Sequence, residues 1–315
     1  MEVVIFGIHL TLNNVAFTIP IGNGWKVYWY GIIIAAGFLL ALIYGLRNAD
    51  RFNINKDRML DVVLVTTPVA ILCARAYYVI FDGEKLTSFG DFFGFGDSSG
   101  FSGIAIYGAV IGAAICGVFM CKIRKVKIFD MLDLAALGFL IGQGVGRWGN
   151  FVNQEAFGTL TGSDFWGMSS INTVKECGEG LVHPCFLYES LWCILGFVLL
   201  HILSKKRHFS GEIALGYCSW YGFGRGFIEL LRTDSLMLGP VRVSSLLSFV
   251  ICIAGLSAII LIRKREKAVL TDDGYVSQFA SNAEEISEIE EANNDIETDD
   301  LQIEEKEDED GNQDN

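Results

Sequence analysis

The sequence has no Cys-x-x-Cys pair and no Cys/His spacing of the kind that holds a metal, its eight cysteines being scattered, so neither a metal nor a cofactor is expected. It also lacks a strand ahead of Gly142-Gln-Gly-Val-Gly146. Those glycines therefore end an apolar helix rather than cradle a phosphate, and no nucleotide or nucleic-acid partner is expected. There are no internally repeated halves of the kind common in transporters. The last apolar run, Val241–Ile262, contains no Lys to form a Schiff base, which argues against a rhodopsin-like photoreceptor. The first is not followed by a small-residue cleavage site, so it is expected to be a retained helix.

Basic residues are scarce in one region. Between Asp272 and Asp314 lie 18 of the 37 acidic residues and a single Lys, Lys306, so this stretch carries −17 while the remainder carries +4. With almost no aromatic residues it cannot bury enough apolar surface to fold alone. The expected organisation is a membrane body over 1–267 and an acidic, disordered extension over 268–315.

Long apolar runs are plentiful, with 51% of residues hydrophobic. Seven can span a hydrocarbon core of roughly 30 Å, which takes about 20 helical residues. They lie near Trp29–Leu46, Met59–Phe81, Ile104–Cys121, Ile128–Gly146, Phe186–Leu203, Gly211–Leu231 and Val241–Ile262. The fold class expected is all-α, a polytopic membrane protein with about seven transmembrane helices. Fifteen Lys and Arg fall in the loops on one side, against five (Lys26, Lys85, Arg147, Lys175, Arg232) on the other. The positive-inside rule then puts the N-terminus outside and the acidic extension in the cytoplasm. Small residues at four-residue spacing, Gly108/Gly112, Gly138/Gly142/Gly146 and Gly222/Gly226, suit close helix contacts in lipid. Most cysteines fall inside the spans, where they pack well. Cys177 and Cys185 lie towards the outer side, where a disulfide and two free thiols are both open.

Polar residues gather at the outer level. A guanidinium at a helix centre in lipid costs about 2.5–3.5 kcal/mol and less towards the edge, so Arg147, followed by Asn150, Asn153 and Glu155, asks for a reason. Tyr30, Arg75, Tyr107 and His183 reach the same level on other spans. In the sixth span Tyr217, Tyr221, Arg225, Glu229 and Arg232 recur every three or four residues and form one stripe. Each has a simpler reading: Arg225 and Glu229 as a neutralising pair, Arg75 as a snorkelling side chain, Tyr30 with Trp25 and Trp29 as an aromatic belt, His183 before Pro184 as a loop end. Against these stands the excess of arginines over their nearest acids, Glu189 and Glu229. Such a cluster suits an anion, and the abundant anions at this depth are lipid phosphates.

At these residues the chain resembles the prolipoprotein diacylglyceryl transferases. Gly146-Arg-Trp-Gly-Asn-Phe-Val-Asn-Gln-Glu-Ala-Phe-Gly158 is similar to that family's signature, and Trp29-Tyr30-Gly31, Ala74-Arg75, His183-Pro184 with Leu187-Tyr188-Glu189, and Tyr221 to Arg232 match further. The likeness covers about Trp25 to Arg263. One departure is Tyr107-Gly108-Ala109, where many members have His-Gly-Gly.

The resemblance implies transfer of the sn-1,2-diacylglyceryl group from phosphatidylglycerol to the thiol of the lipobox cysteine in a bacterial prolipoprotein signal peptide. A thioether forms and glycerol 1-phosphate leaves, the first step of lipoprotein maturation, at the outer leaflet of the bacterial cytoplasmic membrane. The partners implied are phosphatidylglycerol, prolipoprotein signal peptides and membrane lipids. Arg147, Arg225, Tyr107 and Glu229 are the implied catalytic residues. Arg147, Asn150, Asn153, Glu155, Tyr30, Arg75, Tyr221, Arg232 and His183 are the implied contacts to phosphatidylglycerol. Planar guanidinium groups suit a leaving phosphate better than Lys would. The attacking thiol is mostly protonated near neutral pH and needs a base. With Tyr107 in place of the His, candidate bases are His183 and Glu229.

Overall fold

The computed structural model of the chain describes residues 2–20, 25–82, 92, 105–233, 237–238 and 241–273. Lys85 and the acidic extension beyond 273 lie outside them. The described chain carries α1 (Trp29–Asn48), α2 (Lys56–Asp82), α3 (Ile106–Ile123), α4 (Ile128–Asn153), the short α5 (Ile171–Cys177), α6 (Cys185–Ser204), α7 (Glu212–Leu231) and α8 (Val243–Asp273).

Six of these, α1 to α4, α6 and α8, are long and apolar enough to cross a membrane, and the protein is a mostly helical, polytopic membrane protein. The seventh run expected to span coincides with a helix, α7, which is not among the six. It has the length, but Glu212, Arg225 and Glu229 interrupt its apolar character. Outward faces stay apolar and exposed, as at Leu39, Val110 and Ile253, because lipid rather than water is their solvent. The buried centre is α4, whose Leu134, Leu137 and Leu140 contribute to the main core.

All three glycine stripes lie at helix contacts. A Cβ on Gly108 of α3 would stand 2.5 Å from Tyr77 Cβ on α2. On α4 one at Gly146 would meet Ile34 of α1 at 3.1 Å, and on α7 one at Gly222 would meet the Ser248 carbonyl of α8 at 2.6 Å. Helices α6 and α7 are held by two indoles stacked 4.2 Å apart. Trp192 Nε1 donates to the Trp220 carbonyl at 2.9 Å, and Trp220 Nε1 returns the bond to Trp192 at 3.0 Å.

At the start of α4 a buried ionic lock fixes α4 against α7. Arg207 Nη1 lies 2.9 Å from Asp130 Oδ1 and 2.8 Å from Asp133 Oδ2. Asp133 also accepts from the backbone N–H groups of Gly211 and Ala214, both at 2.8 Å, and so satisfies orphan donors at the N-terminus of α7. Arg207, counted in the sequence as a loop charge, is 7% exposed.

The purely helical reading missed three small antiparallel sheets. Strand β1 (Glu2–Ile5) lies between β2 (Ile8–Thr11) and β5 (Met168–Ser170), β3 (Val15–Ile19) pairs with β4 (Trp25–Tyr28), and β6 (Met237–Leu238) pairs with β7 (Val241–Arg242). Strands of two to five residues are too short for alternation to register in a sequence. Val3, Phe151, Phe157, Met168, Val182 and Phe186 form a second core beside them, at the end of the bundle where α4 stops and α6 starts. Cys177 and Cys185 are not joined in a disulfide, and Cys177 Sγ lies 3.9 Å from the Gly158 carbonyl. Burial, then the Glu176 carboxylate, pushes the Cys177 thiol up.

By internal contacts the chain divides into Met1–Ile259, which holds all the side chains discussed below, and Ile260–Asn315. Residues 260–273 of the second unit are helical, so helix continues past the body boundary expected at 267.

Candidate functional site

The signature segment was expected to leave the membrane helix at Gly146. Instead α4 continues to Asn153, because nothing from Arg147 to Asn153 breaks it, and Gln154 ends it in the left-handed conformation at φ 56°. Arg147 and Asn150 consequently sit on one helical face, three residues apart, and Arg147 Nη1 donates to Asn150 Oδ1 at 3.3 Å. Asn150 Nδ2 donates in turn to Glu155 Oε1 at 2.8 Å. Tyr30 packs its ring on the Gly149 backbone, where a Cβ would come within 2.7 Å of it, and faces both Glu155 and Arg147. The signature's last residue, Gly158, is equally confined. A Cβ there would lie 2.8 Å from His183 Cβ and 2.9 Å from the Leu231 carbonyl, so the loop after α4 passes directly over the end of α7.

Glu189 of α6 is where the arginines meet. Its carboxylate forms an ion pair with Arg147 of α4, receives Arg225 Nη1 of α7 at 2.6 Å, and has Arg232 Nη1 at 3.5 Å. Arg225 Nη2 also reaches Glu229 Oε2 at 2.5 Å, and Arg232 Nε stands 4.0 Å from the same oxygen. Arg232 does this from the extended residue that follows α7, at φ −74° and ψ 148°. Tyr221, one turn before Arg225 on α7, lies close to Arg147. The arginines are thus not bare, as the sequence suggested. Each is held by carboxylate, and the arrangement is a preorganised, partly enclosed cluster of guanidinium groups.

A family model described as prolipoprotein diacylglyceryl transferase matches residues 14–261. The chain belongs to the prolipoprotein diacylglyceryl transferases. It is 42% identical over 271 residues to the phosphatidylglycerol--prolipoprotein diacylglyceryl transferase of Limosilactobacillus reuteri (strain DSM 20016), covering 84% of this chain and 95% of that protein. With the similarly named protein of Pediococcus pentosaceus it shares 42% over 270 residues, covering 83% and 94%. With that of Clostridioides difficile (strain 630) it shares 35% over 266 residues, covering 83% and 100%.

The residues taken from the transferase resemblance fall into two groups. Arg147, Asn150, Glu155, Tyr30, Tyr221, Arg225, Glu229 and Arg232 are joined by the contacts just given. Asn153 is the last residue of α4 and half-buried. His183 lies beside the cluster's loop: its backbone N–H donates to the Thr159 carbonyl at 3.0 Å, and its Nδ1 lies 3.2 Å from Tyr188 Oη. Arg75 and Tyr107 belong to the α2–α3 pair rather than to the helices that meet at Glu189. Arg75 donates Nε to the Phe92 carbonyl at 3.0 Å and stands over the Tyr78 ring. Tyr107 is 67% exposed, with its ring 6.3 Å from that of Tyr77.

Sequence reasoning named Glu189 only as a nearby acid and missed Arg242 altogether. Arg242 Nη1 donates to the carbonyls of Glu229, at 2.5 Å, and Arg232, at 3.0 Å, which secures the last turn of α7. Its signal was a cation at the edge of an apolar run, as for Arg147.

Proposed function

We propose that the protein transfers the diacylglyceryl group of phosphatidylglycerol to the cysteine thiol of a bacterial prolipoprotein, the first step of lipoprotein maturation. The observation that carries the reading is the convergence of Arg147, Arg225 and Arg232 on Glu189 in a chain of this family. Three guanidinium groups, of Arg147, Arg225 and Arg232, are paired with two carboxylates, of Glu189 and Glu229, an excess of one positive charge. Each guanidinium has five N–H donors. Arg147 uses Nη2 on Glu189 and Nη1 on Asn150, and Arg225 uses one Nη on each glutamate, so hydrogens remain on both for phosphate oxygens.

In the reaction the thiol sulfur forms a bond to the sn-3 carbon of the diacylglyceryl group as that carbon's bond to the phosphate oxygen breaks. The electron pair leaves with glycerol 1-phosphate, and the thiol proton passes to a base, for which His183 and Glu229 are the titratable candidates. Negative charge grows on the leaving oxygen, and donors fixed before the reaction stabilise it most. Arg147 and Arg225 supply those donors; Asn150, Asn153, Glu155, Tyr30, Tyr221 and Arg232 hold the headgroup around them. Tyr107 and Arg75 serve the same substrate from the α2–α3 side.

The orientation in this reading follows the fifteen-to-five split of Lys and Arg: seven spans including α7, N-terminus outside, acidic extension from 268 in the cytoplasm, and the arginine cluster at the outer leaflet. Phosphatidylglycerol would enter from that leaflet and the lipobox cysteine from the signal peptide spanning it.

The test is incubation of the purified full-length protein with phosphatidylglycerol and a signal-peptide fragment containing the lipobox cysteine. A peptide mass gain of one diacylglyceryl group, with glycerol phosphate released in equal amount, is expected. An unmodified peptide, or one carrying a single acyl chain, overturns the reading.

A further inference from the structure

One turn further into the bundle from Arg147 and Tyr221, the same two helices carry a second polar pair. Gln143 of α4 and Tyr217 of α7 each precede them by four residues, about 6 Å along the helix axis. Gln143 Nε2 lies 2.8 Å from Tyr217 Oη, and the Tyr217 ring stacks on Tyr221 with centroids 5.6 Å apart and planes 13° apart. On its other side Tyr217 meets the ring of Phe139 at 6.1 Å. The ring neighbours of Tyr217 are thus Phe139 and Tyr221, the latter leading to the arginine cluster.

The pair is under-used. Gln143 Oε1 is buried with no hydrogen-bond partner among the described residues. If Tyr217 Oη accepts from Gln143 Nε2, its own O–H is left to donate elsewhere. If the amide is turned over, Tyr217 donates to the amide oxygen and both amide hydrogens are left instead. The first arrangement leaves the acceptor Oε1 unmet along with the hydroxyl hydrogen, whereas the second leaves only donors, and it is the second that an acceptor ligand completes. A buried donor left unmade costs about 1–3 kcal/mol, so an acceptor is called for.

We infer that Gln143 and Tyr217 form a subsite for an ester carbonyl of the diacylglyceryl group. This rests on the transferase reading and deepens it. In a glycerophospholipid the ester carbonyls are the acceptors nearest the phosphate, separated from it only by the glycerol carbons and lying on its acyl-chain side. A phosphate on Arg147 and Arg225 therefore sets those carbonyls towards the bundle interior, the direction in which Gln143 and Tyr217 lie. Fixing both phosphate and ester carbonyl orients the glyceryl carbon between them for attack, which is worth more to the reaction than holding the headgroup alone. The substrate class selected is a diester lipid rather than a diether.

The experiment uses the full-length protein with diester phosphatidylglycerol and with dialkyl-ether phosphatidylglycerol of the same chain length, comparing wild type with Tyr217→Phe. The wild type is expected to favour the diester by about two- to tenfold in kcat/KM, the range for one neutral hydrogen bond. Tyr217→Phe is expected to lower the diester rate to near the diether rate and to leave the diether rate unchanged. Gln143→Leu provides a second variant, in which the preference should also fall. Equal wild-type rates for the two lipids overturn the inference. So does a Tyr217→Phe variant that slows both lipids alike, as a purely structural bond between α4 and α7 would. Absence of transfer from either lipid by the wild type overturns the transferase reading itself, and with it the subsite.

Discussion

Arg225 bridges two carboxylates, donating Nη1 to Glu189 Oε1 of α6 at 2.6 Å while Nη2 lies 2.5 Å from Glu229 Oε2 on its own helix. An ammonium is a single point and cannot span both in the same fork geometry. Arg225→Lys, and likewise Arg147→Lys, is expected to cost between about tenfold and a thousandfold in turnover, by comparison with loss of one oxyanion donor. If Arg225 existed only to neutralise Glu229, Arg225→Gln with Glu229→Gln together would restore much of the loss. The double variant is expected to stay inactive at matched levels of folded protein; recovery of transfer would return Arg225 to a structural role.

Glu189 touches three arginines but is expected to act through them. Replacing it by Gln removes the charge that holds Arg147 and Arg225 in one orientation and leaves the cluster more positive. Anion binding should persist or tighten while turnover falls by about a hundredfold, roughly 2.7 kcal/mol. Steady-state kinetics in phosphatidylglycerol reads this as a lower kcat with KM not raised. A raised KM at unchanged kcat would make Glu189 a substrate-binding group instead.

Tyr107 is the position where the sequence departs from the pattern the family resemblance implies, and the structure leaves its side chain largely exposed on α3. If its hydroxyl touches the lipid headgroup or relays a proton, Tyr107→Phe lowers turnover while membrane insertion is unchanged. Transfer assays on purified Tyr107→Phe at wild-type rate would show that this chain makes no chemical use of the position.

The lock at the far end of α4 predicts the opposite pattern. Asp133 meets Arg207 and two backbone N–H groups in a fully buried position. Removing one partner of such a pair typically costs about 3–5 kcal/mol. Asp133→Asn should lower the apparent unfolding temperature in detergent markedly, yet leave KM for phosphatidylglycerol unchanged in the protein that remains folded. An unchanged unfolding temperature would mean that Asp130 alone holds Arg207.

These contrasts mark what a sequence can and cannot carry. The spans were legible because lipid demands long uninterrupted apolar runs, and the glycine stripes because close helix contact demands small residues at helical spacing. The stripe on α7 was legible for the same reason, since Tyr217 to Glu229 repeat every four residues along one helix. What joins helices was not. Glu189 and Arg225 are 36 residues apart, and nothing in either local sequence says that α6 and α7 turn those faces together. That is decided by packing, here by the reciprocal indoles of Trp192 and Trp220. The end of α4 was misplaced because Arg147 was read as too polar for a span. A guanidinium paired with Glu189 and Asn150 is tolerated within the helix.

Orientation can be tested without any assay of chemistry. Asp164 is exposed on the loop between α4 and α5, at the end of the bundle that carries Gly158 and the arginine cluster, and Lys206 is exposed in the turn after α6, beside the Asp133 lock at the opposite end. Each is changed to Cys in turn, in a background where the eight native cysteines are replaced. Intact cells are then treated with a membrane-impermeant thiol reagent before and after permeabilisation. Asp164→Cys should label in intact cells and Lys206→Cys only after the membrane is opened, as the split of basic residues requires. The reverse pattern would put the arginine cluster at the cytoplasmic leaflet. Labelling of both from outside would mean that an even number of crossings separates them, and therefore that α6 does not span the membrane alone.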